Sequence, residues 1–190
     1  YEGGLRVPAI IEWPNGISKV RITKHPAGAV DIFPTIAEVA GLEKSDLLKP
    51  QDGMSLAKLF LKEPGPRQKP LPFRSRGRVV VVDNDYKMIS FPDKGKTRYE
   101  LYNLANDMSE QDNLVKKEPK IANRLRKKLK AIDTSVTASV NGQDYPEKKV
   151  APQPPRIFWW ERESYRPYFS EWIKRPEYGP RLKRHIESQK

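Results

Sequence analysis

Apolar residues fall along this chain in three patterns. Between residues 73 and 102 they come in short runs rich in valine, isoleucine and aromatic side chains, broken by turn formers. Such runs predict strands over 78–82, 86–91 and 97–102, with turns at Asp83-Asn84 and at 92–96 around Gly95. Residues 73–76 add a fourth strand at the edge, which completes a small antiparallel sheet. Elsewhere the spacing is three and four. Ile32, Phe33, Ile36, Val39 and Ala40 share one face of a predicted helix over 31–40. Asp31 supplies its N-cap or first-turn acid, Pro34 sits in the first turn, and Gly41 stops it. Ile121, Leu125, Leu129 and Ile132 form the buried stripe of a second helix over 118–132, with Pro119 in its first turn. Its other face carries Lys120, Arg124, Arg126, Lys127, Lys128 and Lys130.

The third pattern is one of interrupted apolar pieces. Residues 8–13 (PAIIEW) read as a short buried strand stopped by Pro14, with a turn at Asn15-Gly16. Asp52-Gly53 reads as a turn, and Ser55 as the cap of a short helix reaching about residue 61. Residues 63–72 (EPGPRQKPLP) hold four prolines and a glycine and read as a linker. From Pro146 the chain is rich in proline and aromatic residues, with three of the four tryptophans, and reads as an extended arm.

Composition narrows this picture. Hydrophobic residues make up 37% of 190 and charged residues 32%, a thin core for the length. Either much of the chain is surface or it packs on something else. Cysteine is absent, which removes disulfides, thiolate metal sites and cysteine nucleophiles from this chain. No apolar stretch has the length of a membrane span. The net charge of +12 admits anionic partners, yet it is spread along the chain, as on a solvated basic surface.

Known catalytic patterns are missing. There is no H-E-x-x-H, no G-x-x-x-x-G-K-[ST], no G-x-G-x-x-G and no G-x-S-x-G. The two histidines, His25 and His185, lie far apart, and His25 reads as a loop residue. The basic run 124–130 could meet phosphates, but its leucines sit at core spacing and no base-stacking aromatics interleave, so nucleic acid is not the expected partner. Residues 158–168 (FWWERESYRPY) offer either an arginine-and-ring platform for a sugar or an arm that buries its tryptophans, the second being preferred. At the start, Gly3 and Gly4 permit a tight bend, and Glu2 and Arg6 flank it.

Taken together, the motifs carry a resemblance. Tyr1-Glu2-Gly3-Gly4-x-Arg6-x-Pro8, with the run ending in Trp13-Pro14, resembles a signature region of type I sulfatases of the alkaline-phosphatase-like superfamily. Asp31-x-Phe33-Pro34-Thr35 leading to Ala40-Gly41 is similar to the helix that follows in that family. Asp52-Gly53-x-Ser55-Leu56, Tyr86-Lys87-Met88-Ile89, Glu100-Leu101-Tyr102-Asn103-Leu104 and Asn106-Asp107 through Asn113-Leu114 resemble its later segments in order. The likeness runs over about 1–147, and the rest of the chain matches nothing in the family.

The resemblance implies the C-terminal part of a longer sulfuric ester hydrolase, with a fold class of α/β passing to α+β. Residues 1–66 would end the α/β catalytic domain, 67–147 would form a small α+β subdomain with one amphipathic helix, and 148–190 a basic tail. The family's nucleophile is a formylglycine made in a C/S-x-P-x-R motif, which this sequence lacks. Its calcium ligands and active-site lysine are likewise expected upstream of Tyr1. No catalytic or metal-binding residue is therefore expected here, and the chain alone is expected to be inactive. Glu2, Gly3, Gly4 and Arg6 would line the surroundings of the substrate pocket, and the substrate would be a sulfated small molecule or sulfated glycan. A phosphohydrolase or phosphonate hydrolase of the same superfamily is the first alternative. A non-enzymatic basic module for sulfated glycan or nucleic acid is the second. Family members are often periplasmic, lysosomal or extracellular, while the sequence itself assigns no compartment. Residues 8–13 would belong to a sheet whose other strands are not in this sequence, leaving 1–61 less stable than 73–132.

Overall fold

A computed structural model describes residues 4–47, 49–151 and 157–189. Tyr1, Glu2 and Gly3 lie outside the described residues. The chain divides into two compact units, one up to residue 150 and one from residue 151.

The centre of the first unit is the expected antiparallel sheet, in the order β1-β2-β3-β4. Its strands are β1 (Leu71–Ser75), β2 (Arg78–Asp83), β3 (Tyr86–Asp93) and β4 (Lys96–Asn103). Each hairpin is tight. Arg76-Gly77 and Lys94-Gly95 all have positive φ, the requirement of a two-residue type I′ turn, and Asn84 is left-handed as well. These turns fix the register, pairing Val80 with Ile89 and Met88 with Leu101.

Because side chains alternate across a strand, register also fixes which residues share a face. Val79, Val81, Met88 and Leu101 face one way. They are covered by the long helix α2 (Pro119–Val140), through Ala122, Leu125 and Leu129. Burying each of those leucines is worth roughly 2 kcal/mol. Ile121 and Ile132 pack at the margin, so the predicted stripe is the one observed. The helix nevertheless runs eight residues past 132. Helix propensity falls over this Ser/Thr/Val-rich extension, but no glycine or proline breaks it until Gly142, whose φ is 81°. Ile89, Phe91 and Tyr102 cluster on the sheet's opposite face.

Ahead of the sheet lies α1 (Ile32–Val39), with Pro34 in its first turn and Gly41 left-handed beyond its end. Its orientation corrects the sequence expectation. Ile32, Phe33, Ile36 and Val39 are exposed, while Pro34, Thr35 and Ala37 are buried. The apolar stripe has no covering element among the described residues, and the helix packs instead through its smaller side chains. Residues 8–13 form no strand either, and Ile10 is 95% exposed. A strand exists only through a partner's hydrogen bonds, and among the described residues none lies alongside.

Asp52-Gly53 is extended chain rather than a turn, and Ser55 Oγ accepts the Ala57 N–H at 3.1 Å to open a short 3-10 turn, Ala57–Phe60.

The second unit corrects the expectation of an extended arm. Two 3-10 turns (Trp159–Glu161, Glu163–Tyr168) lead into α3 (Phe169–Trp172) and α4 (Gly179–Ser188). Its rings pack on one another. Trp159 lies edge-on to Trp172 at 5.6 Å and to Tyr178 at 5.3 Å, and Trp172 stacks on Tyr168 at 5.4 Å. That mutual burial of aromatic surface supports helices too short to stand alone.

Candidate functional site

Two of the segments that carry the family likeness, around Asp31 and around Gly53, meet at one buried carboxylate. Asp31 closes a 3-10 turn (Ala29–Asp31) just before α1, but its side chain does not cap that helix. Instead it accepts the backbone N–H groups of Gly28 and Met54, each at 2.8 Å. It also takes a two-pronged bond from the Arg67 guanidinium at 2.9 and 2.7 Å. Both side chains are fully buried. Four donors saturate the lone pairs of a carboxylate, so Asp31 has no acceptor capacity left for a further ligand.

Around this pair the other signature residues act as clasps. Thr35 Oγ donates to the Asp31 carbonyl at 2.6 Å and accepts the Leu56 N–H at 2.9 Å. Gly53 passes so close to Val30 that a Cβ there would stand 1.8 Å from the Val30 carbonyl oxygen. Only glycine permits that approach. Arg67 also donates through Nε to the Lys69 carbonyl and through its guanidinium to Pro26 at 3.2 Å. Its own backbone is held by the Asn84 side chain, which accepts at 2.6 Å and donates at 3.1 Å. Residues 63–72, expected to be a linker, thus carry the arginine that joins residues 26–56 to the β2–β3 turn.

A second buried ion pair lies on the far face of the sheet. Lys87 of β3 is wholly enclosed, and its Nζ sits 2.8 Å from Glu110 Oε1, whose side chain is 3% exposed. Glu110 belongs to the loop after β4. There Asp107 accepts the N–H groups of Gln111 and Asp112, which hold its carboxyl below the ordinary range. Burial pushes the Glu110 carboxyl up, the hydrogen bond and charge of Lys87 are among the contacts that pull it down, and the net shift is downward from 4.5. A lowered folded-state value means that the pair stabilises the fold fully above about pH 4.5, and that this support is lost as acid protonates Glu110. Denaturant titration of the wild type and Glu110→Gln between pH 6 and pH 3 is expected to show the wild type losing more stability. Parallel acid profiles would remove Glu110 as the cause.

Of the expected pocket wall, Glu2 and Gly3 lie outside the described residues. Gly4 is exposed, and a Cβ there would meet nothing within 4 Å. Arg6 is exposed too, with its guanidinium against the Met108 sulfur in the loop that carries Glu110. His25 is half-buried beside Met54, Lys58 and Gln68. Burial, then the Arg67 charge, lowers its pKa and keeps the ring neutral.

Every buried carboxylate described in the first unit is partnered by a basic or hydroxyl group of the same chain. Asp83 meets Lys128 at 2.8 Å and Arg124 at 3.4 Å. Glu100 meets Arg98 and the Tyr102 hydroxyl. Among the described residues no three His, Asp or Glu side chains group so as to hold a metal ion. These residues do not fit the calcium site that the family resemblance implies. No described helix is long and apolar enough to cross a membrane.

Comparison with known proteins accounts for a scaffold of this kind. Residues 1–135 match the family described as N-sulphoglucosamine sulphohydrolase, C-terminal. The chain belongs to this sulfatase family. A sulfatase of Formosa agariphila is 30% identical over 151 residues, covering 69% of this chain and 27% of its own length. An N-acetylgalactosamine-6-O-sulfatase of Bacteroides thetaiotaomicron is 26% identical over 148 residues, covering 70% and 28%. Among solved structures, one in complex with its substrate D-glucosamine-2-N,6-O-disulfate aligns with 61% of this chain and 25% of its own (TM-score 0.43, 21% identity). The sulfatase segment thus spans about a quarter of the length of these curated relatives. The family match ends within α2, and residues 157–189 lie beyond it.

Sequence reasoning quoted Asp31, Thr35 and Gly53 for their likeness but missed Arg67, the partner of Asp31. Arg67 carried a signal, being a lone arginine in an otherwise tightly punctuated stretch. Lys87 carried a stronger one, a single cation within the run YKMISF that could be buried only beside an acid.

Proposed function

We propose that this chain serves a sulfuric ester hydrolase as its C-terminal scaffold, and that the reacting groups belong to other parts of the polypeptide. The observation that supports this most is the saturation of Asp31. The acid at the heart of the family-like segments is consumed by Gly28, Met54 and Arg67, so those segments hold the fold and leave no group poised for chemistry. In the whole protein, sulfate esters would be cleaved by a formylglycine with a divalent cation. The substrate would be a sulfated small molecule or a sulfated glycan. A net charge of +12 favours the approach of such anions. Residues 4–6 would stand beside the pocket. A phosphohydrolase or a nucleic-acid module is less well supported, since the relatives matched are sulfatases.

The test is hydrolysis of p-nitrophenyl sulfate by the purified chain in excess calcium. No turnover above buffer is expected. Calcium-dependent turnover that grows with protein concentration would overturn the proposal.

A further inference from the structure

Within residues 157–189 one pair of rings lies at the margin of the aromatic cluster, where Trp160 meets Trp159 edge-on at 5.4 Å. Phe158 and Trp160 lie parallel, with centroids 4.5 Å apart and an interplanar angle of 5°. Both line an open concavity of about 400 Å³. Its other wall is one face of α4, where Arg181, Arg184, His185 and Ser188 recur at i, i+3, i+4 and i+7. Arg181 holds its guanidinium carbon 5.9 Å from the Trp160 ring centroid. Arg184 is steadied by donating Nε to the Pro180 carbonyl at 3.1 Å.

The charges around this concavity are unbalanced. Glu161 faces it, but one oxygen already accepts the Phe158 N–H at 2.7 Å, closing the turn that presents the two rings. Of the unit's other acids, Glu163 pairs with Arg166 and Glu171 with Arg175, while Glu177 and Glu187 do not line the concavity. Among the described residues Arg181 and Arg184 make no ion pair. A ring stack with two uncompensated arginines at its edge has two complementary demands. It suits a flat, partly apolar ring, and it suits an anion on that ring's rim. The volume is that of a small-ligand site and admits a monosaccharide.

We propose that this concavity binds an anionic pyranose. The C–H face of the sugar packs on the Phe158–Trp160 stack, its sulfate or carboxylate group takes hydrogen bonds from Arg181 and Arg184, and Ser188 and Glu161 meet its hydroxyls. Such a site is independent of the reaction proposed above: it is read by binding, and the presence or absence of turnover leaves it unchanged.

Isothermal titration of the full chain with D-glucose 6-sulfate and with D-glucuronate tests this, with D-glucose and sodium sulfate as controls. At least one anionic sugar is expected to bind tenfold or more tightly than either control. Which of the two binds tells sulfate from carboxylate. Arg181→Ala/Arg184→Ala is expected to lose tenfold or more, while Lys127→Ala on α2 leaves binding unchanged. Phe158→Ala, checked for an unchanged circular dichroism spectrum, is expected to weaken both sugars without affecting sodium sulfate. Anionic sugars that bind no more tightly than glucose or sodium sulfate would overturn the proposal. So would binding that survives the paired arginine substitution.

Discussion

Arg67→Ala is expected to destabilise the first unit by about 3–5 kcal/mol, the cost of leaving one member of a buried ion pair without its partner. That is a large part of the 5–15 kcal/mol that typically holds a domain together. The loss has three sources. Asp31 is left fully buried without its guanidinium partner, and the Pro26 and Lys69 carbonyls lose a donor. The link between residues 26–56 and the sheet is also cut. Urea unfolding followed by circular dichroism measures the size of the effect. Asp31→Leu/Arg67→Met, which removes both charges and keeps apolar volume, is expected to recover much of it. A single substitution no worse than the double would mean that the charge pair is not what holds this region.

Lys87→Ala is expected to have the second-largest effect, about 3 kcal/mol or more, for the same reason, on the sheet face away from α2. The substitution takes the ammonium away from Glu110, 2.8 Å distant, and leaves space where four methylenes were buried. Lys87→Met/Glu110→Leu separates these contributions, because it restores the volume without the charges. It is expected to be clearly more stable than Lys87→Ala in the same urea titration. Equal stability of the two variants would show that packing alone, and not charge, sets the cost.

Sheet and α2 were readable from the chain because their signals are local. Turn pairs such as Lys94-Gly95 fix a hairpin within four residues, and Leu125 and Leu129 declare a buried stripe within two turns. Residues 8–13 were not readable as they stand, because Ile10 and Ile11 announce only a tendency to be a strand, which a neighbouring strand must complete. The α1 stripe failed for the same reason. Ile32, Phe33 and Ile36 are apolar at the right spacing, but spacing cannot say whether anything covers them. Asp31 and Arg67 are 36 residues apart, and no short pattern encodes such a pair. The second unit was misread because its prolines suggested an extended arm, whereas Trp159, Trp172 and Tyr178 supply their own core. As for the site, resemblance singled out Asp31, Thr35 and Gly53 without giving them a role, and geometry shows them holding the chain together around Arg67.

The measurement that bears most directly on this clasp is native-state hydrogen exchange at the Met54 and Leu56 amides. These N–H groups belong to no helix or strand and are held only by the Asp31 carboxylate and the Thr35 hydroxyl. If the clasp is structural, both exchange as slowly as amides of β3, far more slowly than residues 8–12, and both lose that protection in Arg67→Ala. Exchange at Met54 and Leu56 as fast as at the exposed residues 8–12 in the wild type would contradict it.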